Sequence, residues 1–175
     1  TRNRNKNGSC PAQRDMLRRL SVENYALIEG LDMELSPNLN IITGETGAGK
    51  SILLGALGLV VGNRADTAAL KDNNRNCVVE GIFEVDNYGL EPFFTQNDID
   101  YSPETVVRRI ITPSGKSRAY VNDVPVQLSV LKELGVRLID IHSQHQTLML
   151  GDEGFRKRVV DAVADNAGLT VAYAE

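Results

Sequence analysis

The sequence predicts an α/β fold in which a mixed sheet carries an attached antiparallel β-subdomain, and three observations lead there. The stretch Gly44-Glu45-Thr46-Gly47-Ala48-Gly49-Lys50-Ser51 satisfies the phosphate-loop pattern G-x-x-x-x-G-K-[ST] at every fixed position. The apolar run Leu39-Asn40-Ile41-Ile42 before it reads as a short buried strand, and Ser51-Ile52-Leu53-Leu54-Gly55-Ala56-Leu57 after it reads as a helix. Downstream, residues 78–126 hold alternating segments punctuated by turn residues, the pattern of antiparallel strands.

In chain order, residues 1–15 are polar and without apolar periodicity, and are expected to be a disordered leader or an expression remnant, with Met16 a candidate natural start. Leu17, Leu20 and Val22 open a strand, Leu31 to Leu35 is a second candidate, and Ser36-Pro37-Asn38 turns the chain into the loop strand. The helix from Ser51 is apolar on nearly every side, so sheet must cover one face and something else the other; Gly62-Asn63 stops it. Arg64, just beyond, is a candidate contact to nucleotide or partner. Val79, Gly81, Phe83 and Val85 share one face of a half-buried strand, and a short helix is expected about Pro92-Phe93-Phe94. Residues 105–111 and 117–121 form a hairpin through Pro113-Ser114-Gly115-Lys116, and Asn122-Asp123 turns into Val124-Pro125-Val126. Ser129 is read as the cap of a helix over 130–134 ended by Gly135, and Leu138-Ile139-Asp140-Ile141 as a compact strand delivering His142-Ser143-Gln144-His145-Gln146. Phe155, Val159 and Ala162 recur at helical spacing.

The loop names its ligand by physics. Glycines at 44, 47 and 49 let the backbone turn its N–H groups toward phosphate oxygens, and a following helix adds unsatisfied N–H groups and the positive end of its dipole. Lys50 supplies a point charge for the β- and γ-phosphates of ATP, and the Ser51 hydroxyl ligates Mg²⁺.

Composition sets bounds. The 175 residues suffice for one sizeable core, and 42% apolar with 24% charged residues is the make-up of a globular domain. A net charge of −4 argues against a whole-surface nucleic-acid binder. Cys10 and Cys77 lack metal-ligand spacing and fit a reducing cytoplasm; the longest apolar stretch is too short and glycine-broken to span a membrane.

Five stretches taken together carry a resemblance: Leu20-Ser21-Val22-Glu23-Asn24-Tyr25, Thr43 through Ser51, Gly62-Asn63-Arg64-Ala65, Gly115-Lys116-Ser117-Arg118-Ala119-Tyr120-Val121-Asn122 and Ile141-His142-Ser143-Gln144-His145. In that order they resemble the N-terminal head segment of the bacterial RecN family of DNA-repair proteins, which are ABC ATPases of the structural-maintenance-of-chromosomes (SMC) type. The resemblance implies an ATPase head split into an N-terminal and a C-terminal half by a long coiled coil. It implies residues 16–152 as the N-terminal half-head and 153–175 as the start of the helix leading to that coil. Gln144 stands where the family has its Q-loop glutamine, an amide that binds Mg²⁺ or orients water near the γ-phosphate. A Leu-Ser-Gly-Gly signature and four apolar residues followed by Asp-Glu are not in the sequence, so the chain is expected to be a fragment, inactive alone. The partners implied are the C-terminal half of its own head, a second head in a homodimer, and DNA through the assembled protein, in the cytoplasm at the nucleoid during double-strand-break repair.

Other readings use the same residues. If Asp140, after Val136-Arg137-Leu138-Ile139, were a Walker B aspartate, the chain would be a self-contained P-loop NTPase or kinase-like phosphotransferase; a central arginine fits a buried parallel strand poorly. A nucleotide-gated interaction module without catalysis is a third reading. Arg108, Arg109, Lys116 and Arg118 cluster about one hairpin and could meet a phosphate backbone, although charges there usually form a solvated face. His142 and His145 would need two further ligands to hold zinc.

Overall fold

Strand β1 (Leu17–Tyr25) places Leu20, Val22 and Asn24 on one side by simple alternation, and that side is fully buried. A computed structural model describes residues 17–37, 39–43, 47–65, 68, 70–86, 88–139 and 141. They belong to the first of two units into which the chain divides, Thr1–Asp140 and Ile141–Glu175, save residue 141.

β1 pairs with β2 (Ile28–Glu34) through a tight turn, and on its other side with β3 (Cys77–Glu84). β4 (Glu104–Ile111), β5 (Ser117–Val121) and β6 (Val124–Val126) follow as a meander, giving the order β2-β1-β3-β4-β5-β6 with every pairing antiparallel. The expected antiparallel subdomain is therefore the sheet these residues build. The hairpins form where predicted, because a one-residue register slip would turn Val79, Phe83, Val107 and Ile111 out of the core.

Helices α1 (Gly47–Val60) and α3 (Leu128–Leu138) pack on the buried face of the sheet, through Ala56, Leu59 and Val60 of one and Leu131, Leu134 and Leu138 of the other. Each leucine or valine side chain among them, taken from water, contributes about 1.5–3 kcal/mol. The short α2 (Glu91–Gln96) buries Phe93 and Phe94, and Tyr101 meets the Phe94 ring edge-on at 5.5 Å. α1 ends as its sequence predicts. Gly62, at φ +92, takes the left-handed turn, and Gly62 and Asn63 donate back to the carbonyls of Leu59 and Gly58 at 3.2 and 2.8 Å.

Three expectations are corrected. Leu39-Asn40-Ile41-Ile42 forms no strand; Leu39, Ile41 and Ile42 are 74, 76 and 54% exposed, because the antiparallel sheet gives them no ladder to join. α3 runs through Gly135 to Leu138, with Gln127 rather than Ser129 at its N-cap. Gly135 is needed there for close packing, not for termination: a Cβ on it would stand 2.5 Å from the Val61 carbonyl oxygen. The strand expected over Leu138-Ile139-Asp140-Ile141 is not found among the described residues: Leu138 ends α3, and Ile139, which leaves the helix in extended geometry, and Ile141 belong to no strand.

Candidate nucleotide-binding site

α1 starts at Gly47 rather than Ser51, so the last glycines of the phosphate loop already lie in its first turn. Lys50 and Ser51 follow at once, both exposed. No acidic residue occupies that first turn, so no carboxylate of the turn itself opposes the helix dipole's attraction for an anion. The residue types thus fit a phosphate group, and the Ser51 hydroxyl fits Mg²⁺. Gly44, Glu45 and Thr46 lie outside the described residues, as do the side chain of Ala48 and the residues Asp140, His142, Gln144 and His145.

Two residues beside the loop helix carry more than the sequence reading gave them. The Tyr25 hydroxyl stands 2.5 Å from where a Cβ on Gly55 would be, so it lies directly against α1 one turn beyond Ser51. Asn24, only 2% exposed, clamps the segment ahead of β3: its Nδ2 donates to the carbonyls of Asp72 and Arg75 at 2.9 Å, and its Oδ1 accepts from the Asp72 N–H at 2.6 Å. A signal for Asn24 was present, since an amide at the inward-facing step after Leu20 and Val22 must find buried partners. Arg64 is exposed beyond the C-terminal end of α1.

The four cations of the β4–β5 hairpin do not act as one patch. Arg108 faces outward and is neutralised, its Nε donating to Glu80 at 2.6 Å and its Nη1 to Asp123 at 2.9 Å. Arg109 faces the core at 2% exposure, where burial lowers its guanidinium pKa. Lys116 and Arg118 remain exposed. Arg137 sits in the last turn of α3, bonded to Glu133 at 2.8 Å and 5.2 Å from the Phe93 ring centroid. Val136-Arg137-Leu138 is therefore helix, and the buried strand that would make Asp140 a Walker B aspartate is not formed by them.

A phosphate-loop sequence leading into a helix that lies on an antiparallel lobe defines the class: a domain of the P-loop nucleotide-binding fold. A family model described as an AAA domain matches residues 19–148, and the chain belongs to that family. Among its relatives, the DNA repair protein RecN of Vibrio cholerae is 40% identical over 90% of this chain and 28% of that protein. RecN of Haemophilus influenzae is 34% identical over 91% of this chain and 29% of that protein. The chain thus spans under a third of the length of these relatives, and the resemblance drawn from its motifs is borne out. A solved SMC ATPase, studied for its ATP-driven dimerization and DNA stimulated activation, superposes with a TM-score of 0.56 over 83% of this chain and 90% of that chain, at 16% identity. That likeness establishes the fold.

Proposed function

We propose that the chain is the ATP-binding N-terminal part of an SMC-like ATPase head that acts in DNA double-strand-break repair and recombination. The observation that carries it is the phosphate-loop sequence running onto α1, with Lys50 and Ser51 both open to solvent at its start. The backbone N–H groups of residues 44–49 would cradle the triphosphate and Lys50 would neutralise its β- and γ-phosphates. Ser51 would hold Mg²⁺, with Gln144 as a second ligand; the ion supplies charge neutralisation at the phosphate oxygens.

Leu39, Ile41 and Ile42, exposed immediately before the loop, support the split-head reading. An apolar run entering the site is left uncovered until another segment supplies a sheet for it, and the C-terminal half of the same head is the proposed source, along with the carboxylates that activate water. Residues 16–152 are the half-head on this reading, and 153–175 the root of its coiled coil. ATP would close this head on a second one and hydrolysis would release it, with DNA held by the assembled protein in the cytoplasm at the nucleoid.

The test has two stages. A fluorescent ATP analogue should bind the chain with Mg²⁺ present and lose most of its affinity on Lys50→Ala, whose exposed side chain leaves the fold intact. ATP turnover should be absent from the chain alone and appear when the separately produced remainder of the full-length protein is added. Lys50-dependent turnover by the chain alone would sink the split-head reading, and unchanged binding by Lys50→Ala would sink the assignment of the loop.

A further inference from the structure

Arg109 is an anomaly in this core. It points inward from β4 between Val107 and Ile111, opposite Val79 on one side and Ala119 on the other, and is 2% exposed. One of its donors is used: Nη2 reaches the Ser117 hydroxyl at 2.7 Å. Its Nε is buried without a hydrogen-bond partner, and among the described residues no carboxylate pairs with it. A guanidinium keeps its proton under these conditions, so the core holds a charge with no counter-charge. Removing water from such a group costs several kcal/mol unless something accepts its hydrogen bonds.

The surroundings supply a place for that acceptor. Arg109 and Ser117 line a half-open cleft of about 220 Å³ at the β5–β6 edge of the sheet, with Val126 of β6 and Leu128, the first residue of α3, in its wall. Arg118 lines it too and is exposed. α3 opens there with no side-chain cap on its N-cap Gln127 and no acidic residue in its first turn, so its terminal N–H groups and dipole are uncompensated. Two guanidinium groups, a hydroxyl and a helix N-terminus thus border one volume.

We propose that this cleft is a binding site for a small phosphate-type oxyanion, held by buried Arg109, by Ser117 and Arg118 at its exposed rim and by the N-terminus of α3. A tetrahedral phosphate group accepts from several directions at once, as donors on separate elements require; a carboxylate offers its two oxygens in a single plane. The site is separate from the phosphate loop and would be occupied independently of it.

The Nε–H proton of Arg109, shielded from solvent, is a direct reporter by NMR. Titrating the 175-residue chain with inorganic phosphate, against chloride at matched ionic strength, should shift this resonance saturably. Arg109→Lys assigns it by its disappearance. Arg118→Gln should weaken the affinity about tenfold, the loss of one charge-assisted contact. The same titration in Lys50→Ala should be unchanged, which separates this cavity from phosphate on the loop. No saturable shift, or a shift lost in Lys50→Ala, overturns the site. An acetate titration as strong as the phosphate one overturns the phosphate class in favour of a carboxylate. Should Arg109→Lys fail to fold, the titration of the unsubstituted chain alongside Lys50→Ala still decides between these outcomes.

Discussion

Gly135 of α3 lies so close to Val61, at the end of α1, that a Cβ on it would stand 2.5 Å from the Val61 carbonyl oxygen and 2.7 Å from its Cα. The facing contact is equally tight, since a Cβ on Gly62 would stand 2.9 Å from the backbone nitrogen of Lys132. The two helices meet backbone to backbone through a pair of glycines. This contact fixes the end of the helix whose start carries Lys50, and it links the nucleotide helix to the rest of the lobe.

Gly135→Ala is expected to destabilise the chain by about 1–3 kcal/mol, the usual cost of forcing a methyl group into a filled core. The obstructing atoms are backbone and cannot rotate away. Gly62→Ala should cost more, because strain from the positive φ of +92 adds to the clash. Urea midpoints of the two variants check both; a Gly135→Ala midpoint equal to that of the parent would mean the helices are free to separate.

Asn24 makes a second prediction, in which conformation and hydrogen bonding can be told apart. Its φ is 54, and its side chain joins β1 to the carbonyls of Asp72 and Arg75 and the N–H of Asp72. Asn24→Gly keeps the backbone comfortable and loses the bonds, whereas Asn24→Ala loses both, so Ala should be the worse by about 1–2 kcal/mol. Both should fall below the parent, because the carbonyls of Asp72 and Arg75 and the N–H of Asp72 lose their partner in the part-buried clamp. Equal midpoints for Gly and Ala would show that the left-handed geometry does not persist once the side chain is gone.

The antiparallel lobe was legible because its strands carry a period of two with turn residues between them, as Val79, Gly81, Phe83 and Val85 illustrate. The phosphate loop was legible because its chemistry fixes residue types at fixed spacing. What misled was context. Gly135 has the composition of a helix stop, yet packing against Val61 makes it a contact inside a helix. Leu39 to Ile42 has the composition of a buried strand, yet a strand exists only beside a neighbour that completes its hydrogen bonds. Arg108 and Arg109 look alike in sequence, and strand alternation sends one to an ion pair with Glu80 and the other into the core.

The outward pair should matter little to stability. Glu80 lies directly opposite Arg108 in the β3–β4 ladder, and the hydrogen bond from Nε to Glu80 raises the arginine pKa. Both side chains are partly solvated, at 34% exposure for Arg108 and 27% for Glu80. Glu80→Gln is therefore expected to cost at most about 1 kcal/mol, and less as salt is added. Unfolding midpoints at low and high ionic strength test this; a larger, salt-independent loss would show that the pair is effectively buried.

Cys77, at the start of β3, gives a prediction in pH. Its thiol is buried against the sheet's inner face, and burial pushes its pKa up from 9.0 to about 11. Below pH 9 the thiol is protonated in folded and unfolded chains alike, and its contribution is fully present. As pH rises from 9 to 11 the unfolded chain releases the proton first, so the folded state loses stability, at no more than about 1.4 kcal/mol per pH unit. Cys77→Ala has no such proton. It should be less stable than the parent at pH 8 because it leaves space in the core, and the gap should narrow steadily between pH 9 and 11. Urea unfolding of both chains across that range isolates the thiol from the tyrosines and lysines that titrate in each; a gap that stays constant would show that the Cys77 thiol ionises as readily in the folded chain as in the unfolded one.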